Sequence, residues 1–146
     1  MKDHVQQNIK LIKSFYASAA LGDSGPARYA LDPNVEWIEP KLPGLWFSGP
    51  HRGADAVWKE VIGPTAEKID NFRIKMKKFF GVGDHVVAIG HFEGRGKMTG
   101  NELEAATVHV WTLRNGKAVR FQAFHDDARW LETLGLAQHE PQRMAA

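Results

Sequence analysis

The 146-residue chain has no cysteine, which excludes disulfides, a thiol nucleophile and any thiolate-held metal. No stretch reaches the roughly 18 consecutive apolar residues that a spanning helix needs, and the opening MKDHVQQNIK lacks the apolar core of a secretory signal. The expectation is a soluble, unprocessed protein compatible with the cytoplasm. Strong charge of one sign is also missing. The formal net charge is +2 and the basic residues are dispersed, apart from KMKK at 75–78, so neither nucleic acid nor a membrane surface is an expected partner. Phe72, Ile74 and Met76 alternate through that run, which reads as the solvated face and end of a strand. His51, His85 and His91 make no HExxH or His-x-His spacing, so no metal is expected. Gly81-Val82-Gly83 and Gly94-Arg95-Gly96 precede no helix and read as strand turns rather than phosphate cradles. Ser14, Ser18 and Ser48 sit in no nucleophile elbow. No cofactor is expected.

What is present fits one globular domain over residues 1–146: the apolar share is 43% and the charged share 25%, enough for a core and too apolar for a disordered chain. The organising stretch is Glu102–Asp126, two alternating arms around Asn115-Gly116. Leu103, Ala105, Thr107, His109, Trp111 and Leu113 share one face of the first arm, and Val119, Phe121, Ala123 and His125 share one face of the second. Two registers compete. A two-residue Asn-Gly turn pairs Arg114 with Lys117 and His109 with Gln122, and turns His125 away from His109. A three-residue Arg-Asn-Gly turn with a glycine bulge pairs Leu113 with Lys117 and His109 with Phe121, placing both histidines on one face.

Ahead of this hairpin, Ile9, Ile12, Phe15, Tyr16 and Ala19 recur at helical spacing, predicting a helix from Val5 to about Leu21 that ends at Gly22. A short helix follows over Ser24–Ala30 with Asp23 as its cap, then a turn at Asp32-Pro33-Asn34 and a strand over Val35–Glu39, closed by Pro40. The Pro- and Gly-rich segment up to Gly53 is a loop with unusual apolar weight: Leu42, Leu45, Trp46 and Phe47. It is either a lid packed on its own core or a wall or gate of a pocket. A third helix spans Ala54–Ile62, stopped by Gly63-Pro64. Strands follow over Phe72–Phe80 and His85–Glu93, and after the hairpin a last short helix over Ala128–Leu134, capped by Gly135, precedes a loosely held tail.

Three phrases, FYASAALGDSGPARYALDPNVEWIEP at 15–40, GDHVVAIGHFEGRG at 83–96 and ATVHVWTLRNGKAVRF at 106–121 leading into HDD, resemble the SnoaL-like branch of the superfamily that includes nuclear transport factor 2 and ketosteroid isomerase. The resemblance runs from about Val5 to Leu136. It implies an α+β, cone-shaped NTF2-like (cystatin-like) fold: a curved antiparallel sheet wrapped by three N-terminal helices plus a short C-terminal helix, enclosing a deep apolar cavity. It favours the three-residue turn, because it places Phe121, Ala123 and His125 towards that cavity.

By the same resemblance Glu39 stands where ketosteroid isomerase has its aspartate base, His109 where it has a protonated aspartic acid, and Phe15 where it has a donating tyrosine. Tyr16 is on another helix face and does not simply replace that tyrosine. Loss of both donors argues against steroid isomerisation itself. The expected catalytic residues are Glu39, His109 and His125, with Phe15, Tyr16, Trp37, Trp46, Phe92, Trp111 and Phe121 lining a site for a small apolar or cyclic ligand. The implied activity is cofactor-free acid/base chemistry of the isomerase or polyketide cyclase type on a carbonyl-bearing cyclic metabolite. The alternatives are a non-catalytic ligand-binding or dimerisation module, or water chemistry of the epoxide hydrolase and dehydratase kind. Asp126 points opposite to His125, so no His-Asp pair is expected between them. In the family the convex sheet face commonly pairs two subunits, so a homodimer is expected.

Overall fold

A computed structural model describes residues 2–20 and 24–136. Helix α1 (Lys2–Ala20) and the short α2 (Ser24–Tyr29) lead into β1 (Leu31–Ile38) and β2 (Pro50–Arg52). A continuous helical arm follows: α3 (Ala54–Ala56), a π-helical stretch (Val57–Ile62) and α4 (Gly63–Lys68). Strands β3 (Ile69–Val82), β4 (His85–Gly96), β5 (Glu102–Arg114) and β6 (Lys117–His125) then run in sequence to α5 (Asp127–Thr133). The six strands form one sheet in the order β2-β1-β6-β5-β4-β3. It is antiparallel except that β1 runs parallel to β6. The expected caps Gly22 and Asp23 and the tail from residue 137 lie outside the described residues. Among the described residues no helix is long and apolar enough to cross a membrane.

The helical stripe of α1 is real: Ile12, Phe15 and Tyr16 are buried, pressed onto the concave face of the sheet. Trp111 is fully buried there, packing edge-on to Phe15, Tyr16 and Trp37. Burial of a ring that size contributes about 2–3 kcal/mol. The convex face is less covered, with Ile89 36% and Phe124 52% exposed beside half-buried Val87, Val108 and Val110.

Four local expectations change. Gly63-Pro64 does not stop the third helix. Pro64 has no N–H and its ring crowds the preceding turn, and the π-helical stretch absorbs this by letting Gly63 N–H bond Trp58 O, five residues back. A Cβ on Gly63 would lie 2.9 Å from that oxygen, so the close approach requires glycine. Asp32-Pro33-Asn34 is an irregular part of β1 rather than a turn ahead of it, held by Asn34 N–H donating to Asp32 Oδ1 at 2.8 Å. The loop after Pro40 contains a strand, β2, because Trp37 and His51 pair across it. Gly94-Arg95-Gly96 continues β4, and the preceding turn is only Gly83-Asp84.

The hairpin takes neither anticipated register. Asn115 and Gly116 have φ of 52° and 75°, the two left-handed residues of a type I′ turn, and Arg114 pairs with Lys117. The register then shifts by one: Leu113 pairs with Ala118 but Thr112 with Arg120, leaving Val119 as a bulge. His109 therefore faces Ala123, and Thr107 faces His125. The bulge restores by a second route the parity that the three-residue turn would have given, so both histidines share the concave face. It also explains why Ala118, not Val119, is buried.

Candidate active site

The cavity opens between the concave face of the sheet, the end of α1, the helical arm and α5, and has a volume of about 660 Å³. Glu39, His109 and His125 all line it. Each is placed by its strand. Glu39 follows the last residue of β1, and its own N–H donates to Gly49 O at 3.0 Å, which pins the strand end against the loop. His109 sits between Ala88 on β4 and Ala123 on β6, two small neighbours that leave room for an imidazole. His125 ends β6 directly across from Thr107.

Two hydrogen-bonded chains converge here. In the first, Trp37 Nε1–H donates to Glu39 Oε2 at 2.7 Å, and His125 Nε2 lies 2.8 Å from Glu39 Oε1. The other nitrogen of His125, Nδ1, is 2.8 Å from Thr107 Oγ1. Both carboxylate oxygens and both imidazole nitrogens thus have partners, with the two side chains 6% and 3% exposed. Glu39 is no surface ion-pair partner.

In the second chain Trp111 Nε1–H donates to the Tyr16 hydroxyl at 2.9 Å, and that hydroxyl lies 2.6 Å from His109 Nδ1. Burial pushes the Tyr16 phenol well above its ordinary value, opposed in part by the Trp111 N–H, so the hydroxyl keeps its proton and donates it to Nδ1. Burial also holds His109 well below its ordinary value of 6.5, and the neighbouring His125 adds to the effect. His109 is therefore a neutral imidazole with its own proton on Nε2. That Nε2 is buried and has no partner among the described residues. The site holds a fixed carboxylate and, on the same wall, an unsatisfied N–H donor.

Of the ligand-binding residues expected, Tyr16, Trp37, Phe92 and Phe121 line the cavity, Trp37 and Phe121 stacked with centroids 3.7 Å apart. Phe15, Trp46 and Trp111 do not. Phe15 and Trp111 pack on each other with centroids 5.0 Å apart, behind the wall. Trp46 turns to a separate shallow groove with Lys68, Met98 and Thr133, held there by donating to Thr65 Oγ1 at 2.9 Å. Its neighbour Phe47 takes the place on the wall. The apolar loop is thus a wall through Phe47, while Leu45 packs into the core.

Trp130 and Thr107 were missed, and Phe47 was anticipated only as part of the apolar loop that could wall a pocket. Trp130 lies in α5, where an aromatic at the helix's buried position was the available signal, and Thr107 becomes visible once the register is known. Asp126 does not orient His125; it caps α5, accepting from Arg129 N–H at 3.4 Å. A second polar cluster escaped the spacing argument because it forms across strands: ligand atoms of His91, Glu93 and Glu104 lie within 4.8 Å of one another. Glu93 there already binds His91 at 2.7 Å and the Lys75 ammonium at 3.3 Å. The His91 hydrogen bond is the chief reason its carboxyl sits below the ordinary range.

A model of the SnoaL-like domain family matches residues 12–121, most of the chain, and the chain belongs to that family. Among solved structures it is similar to an NTF2-like protein of unknown function from Burkholderia pseudomallei K96243, with 25% identity, TM-score 0.81, and coverage of 88% of this chain and 97% of that one. An NTF2-like protein from Burkholderia thailandensis E264 is 26% identical, with TM-score 0.80 and coverage of 87% and 96%. TerC, crystallised with polyporic acid, is 28% identical, with TM-score 0.79 and coverage of 88% and 98%. No curated protein matches the chain.

Proposed function

We propose that this SnoaL-like protein is a cofactor-free enzyme that moves a proton on a carbonyl-bearing cyclic metabolite, in the manner of the family's isomerases and cyclases. The observation that carries the reading is the pairing of Glu39 with the free Nε2–H of His109 in one largely apolar cavity. Glu39 takes a proton from the carbon next to the carbonyl. The electron pair of that C–H bond moves to the oxygen, and the developing oxyanion accepts the His109 N–H. Glu39 then returns the proton to the same or a conjugated carbon, so no oxidant or co-reactant is needed. Alternatively the enolate carbon attacks a second carbonyl of the same molecule, closing a ring: the first carbonyl re-forms, the π bond of the second breaks, and its oxygen takes the proton from Glu39. Trp37 and His125 hold the carboxylate in position, while the remaining lone pairs of its oxygens stay available to the substrate.

The test does not require the natural substrate. Exchange of α-protons for deuterium in a panel of cyclic ketones, followed by NMR, reads the proposed step directly. Wild-type protein should accelerate exchange for at least one of them, and Glu39→Gln should lower that acceleration by about 10³-fold with little change in Tm. Equal rates in the two proteins would sink the reading. Polyporic acid, with which TerC was co-crystallised, is the first ligand to try for binding.

A further inference from the structure

The chain has five tryptophans, and three of them spend their indole N–H inside the protein: Trp37 on Glu39, Trp46 on Thr65 and Trp111 on Tyr16. Trp130 is different. It is 2% exposed, lines the cavity, and its Nε1 is buried with no partner among the described residues. A buried indole N–H without an acceptor is destabilising, and tryptophan and tyrosine in cores usually find one. The ring itself is firmly held, with Phe47 at 5.1 Å, Phe92 at 5.4 Å and His125 at 6.2 Å between centroids. Rotating away to find a partner would break that packing.

Two residues that line the cavity thus carry an unsatisfied buried donor, His109 at Nε2–H and Trp130 at Nε1–H. His125 is 6.1 Å from the first ring and 6.2 Å from the second, and Phe92 is 5.9 Å and 5.4 Å from them. Both rings therefore border the same pair of aromatic neighbours, Phe92 and His125, and Glu39 is hydrogen-bonded to that His125.

We infer that Trp130 is a ligand-binding residue, and that the cavity takes a ring compound with two acceptor oxygens, one on His109 Nε2–H and the other on Trp130 Nε1–H. Flat diketones and quinone-like rings have this chemistry. The inference rests on the reading of His109 as a carbonyl donor, and adds to it a second polar subsite that sets which carbonyl compounds bind well. A single-carbonyl ring satisfies one donor and leaves the other buried and bare.

The test uses two bicyclic probes, 1,4-naphthoquinone with two carbonyls and 1-tetralone with one; the absence of cysteine removes thiol addition to the quinone. Titration of ¹⁵N-labelled wild-type protein should move the assigned Trp130 indole proton downfield and slow its exchange with solvent when the quinone binds, and leave it in place with tetralone. Trp130→Phe, which keeps an aromatic ring but removes the N–H and part of the indole, should weaken quinone binding about tenfold more than it weakens tetralone binding. An unmoved indole signal with bound quinone, or equal losses for the two probes in the variant, overturns the inference and leaves the roles of Glu39 and His109 standing. Failure of both probes to bind overturns both. A third outcome also overturns the inference alone. Asp127 Oδ1, on the same helix, is likewise buried and unpartnered; if Asp127→Asn shifts the indole signal of the free protein upfield, the N–H already belongs to Asp127.

Discussion

His109 and His125 are two residues of one type, on adjacent strands, on one face, with ring centroids 6.1 Å apart. Their surroundings differ in one respect. His125 is satisfied at both nitrogens, by Glu39 and Thr107. His109 is satisfied at one, by Tyr16, and bare at the other. A buried side chain with every polar atom paired holds its neighbours in place; a buried donor with none is stabilised only when a ligand supplies the acceptor. In the proposed mechanism the same imidazole thus positions a carboxylate at one place and receives the substrate oxygen at the other. The strand pairing makes that assignment, not the residue type.

The contrast breaks most visibly if the bare nitrogen is removed. His109→Ala should lower catalysed α-proton exchange by about 10²–10³-fold, the usual loss of one oxyanion donor, chiefly in kcat. His125→Asn should lose less, because Glu39 keeps its bond from Trp37. Equal losses in the two variants, measured with the same ketone, would show that both histidines touch the reacting oxygen and would remove the distinction drawn above.

A smaller effect sharpens the same contrast. Tyr16 fixes which nitrogen of His109 carries the proton, so it acts as a positioning residue. Tyr16→Phe should cut kcat about tenfold and leave KM little changed, because the ring that lines the wall remains. Imidazole ¹⁵N shifts supply the readout that a merely structural role would not move: one Nε2–H tautomer in the wild type, a mixture in the variant. The variant also strands the Trp111 N–H in the core, at a cost of about 1–3 kcal/mol in stability. Retention of a single Nε2–H tautomer in Tyr16→Phe would rule out the positioning role.

Much of this was legible in the sequence. The alternation of Glu102–Arg114 gave the long strand and put His109 on the Trp111 face, and the spacing of Ile12, Phe15 and Tyr16 gave the buried stripe of α1. Glu39 and His109 came from resemblance rather than from periodicity. Two things were beyond local reading. Asn115-Gly116 determines its own turn, but the bulge at Val119 arises because the β5–β6 pair must bury Ala118 and Phe121 together, a demand made by the whole sheet. Phe15, Tyr16, Trp46 and Phe47 are consecutive aromatic pairs in which periodicity identifies burial but not which ring faces the void. Only the packing of Trp111 behind Phe15, and of Thr65 against Trp46, separates them. Trp130 escaped for a similar reason: its role depends on a partner it lacks, and sequence patterns record partners.

The smallest predicted effect concerns the protonation of His109. Its folded-state affinity for protons is depressed by burial and by His125, so below the ordinary value of 6.5 the unfolded chain takes a proton that the folded chain refuses. The unfolded state then binds more protons, and stability falls as pH falls. The term is fully present above 6.5 and is lost from there down to the folded value, with a slope of at most about 1.4 kcal/mol per pH unit. Asp127 works the other way: burial raises its carboxyl, so its unfavourable contribution shrinks as pH drops through its folded value. Subtracting the urea-unfolding profile of His109→Gln from that of the wild type isolates the histidine term. The difference should be flat above pH 7 and turn against the wild type as the pH falls below about 6.5. A difference that stays flat down to pH 5 would mean that His109 accepts a proton in the folded state as easily as in water, and the free Nε2–H would no longer set it apart from His125.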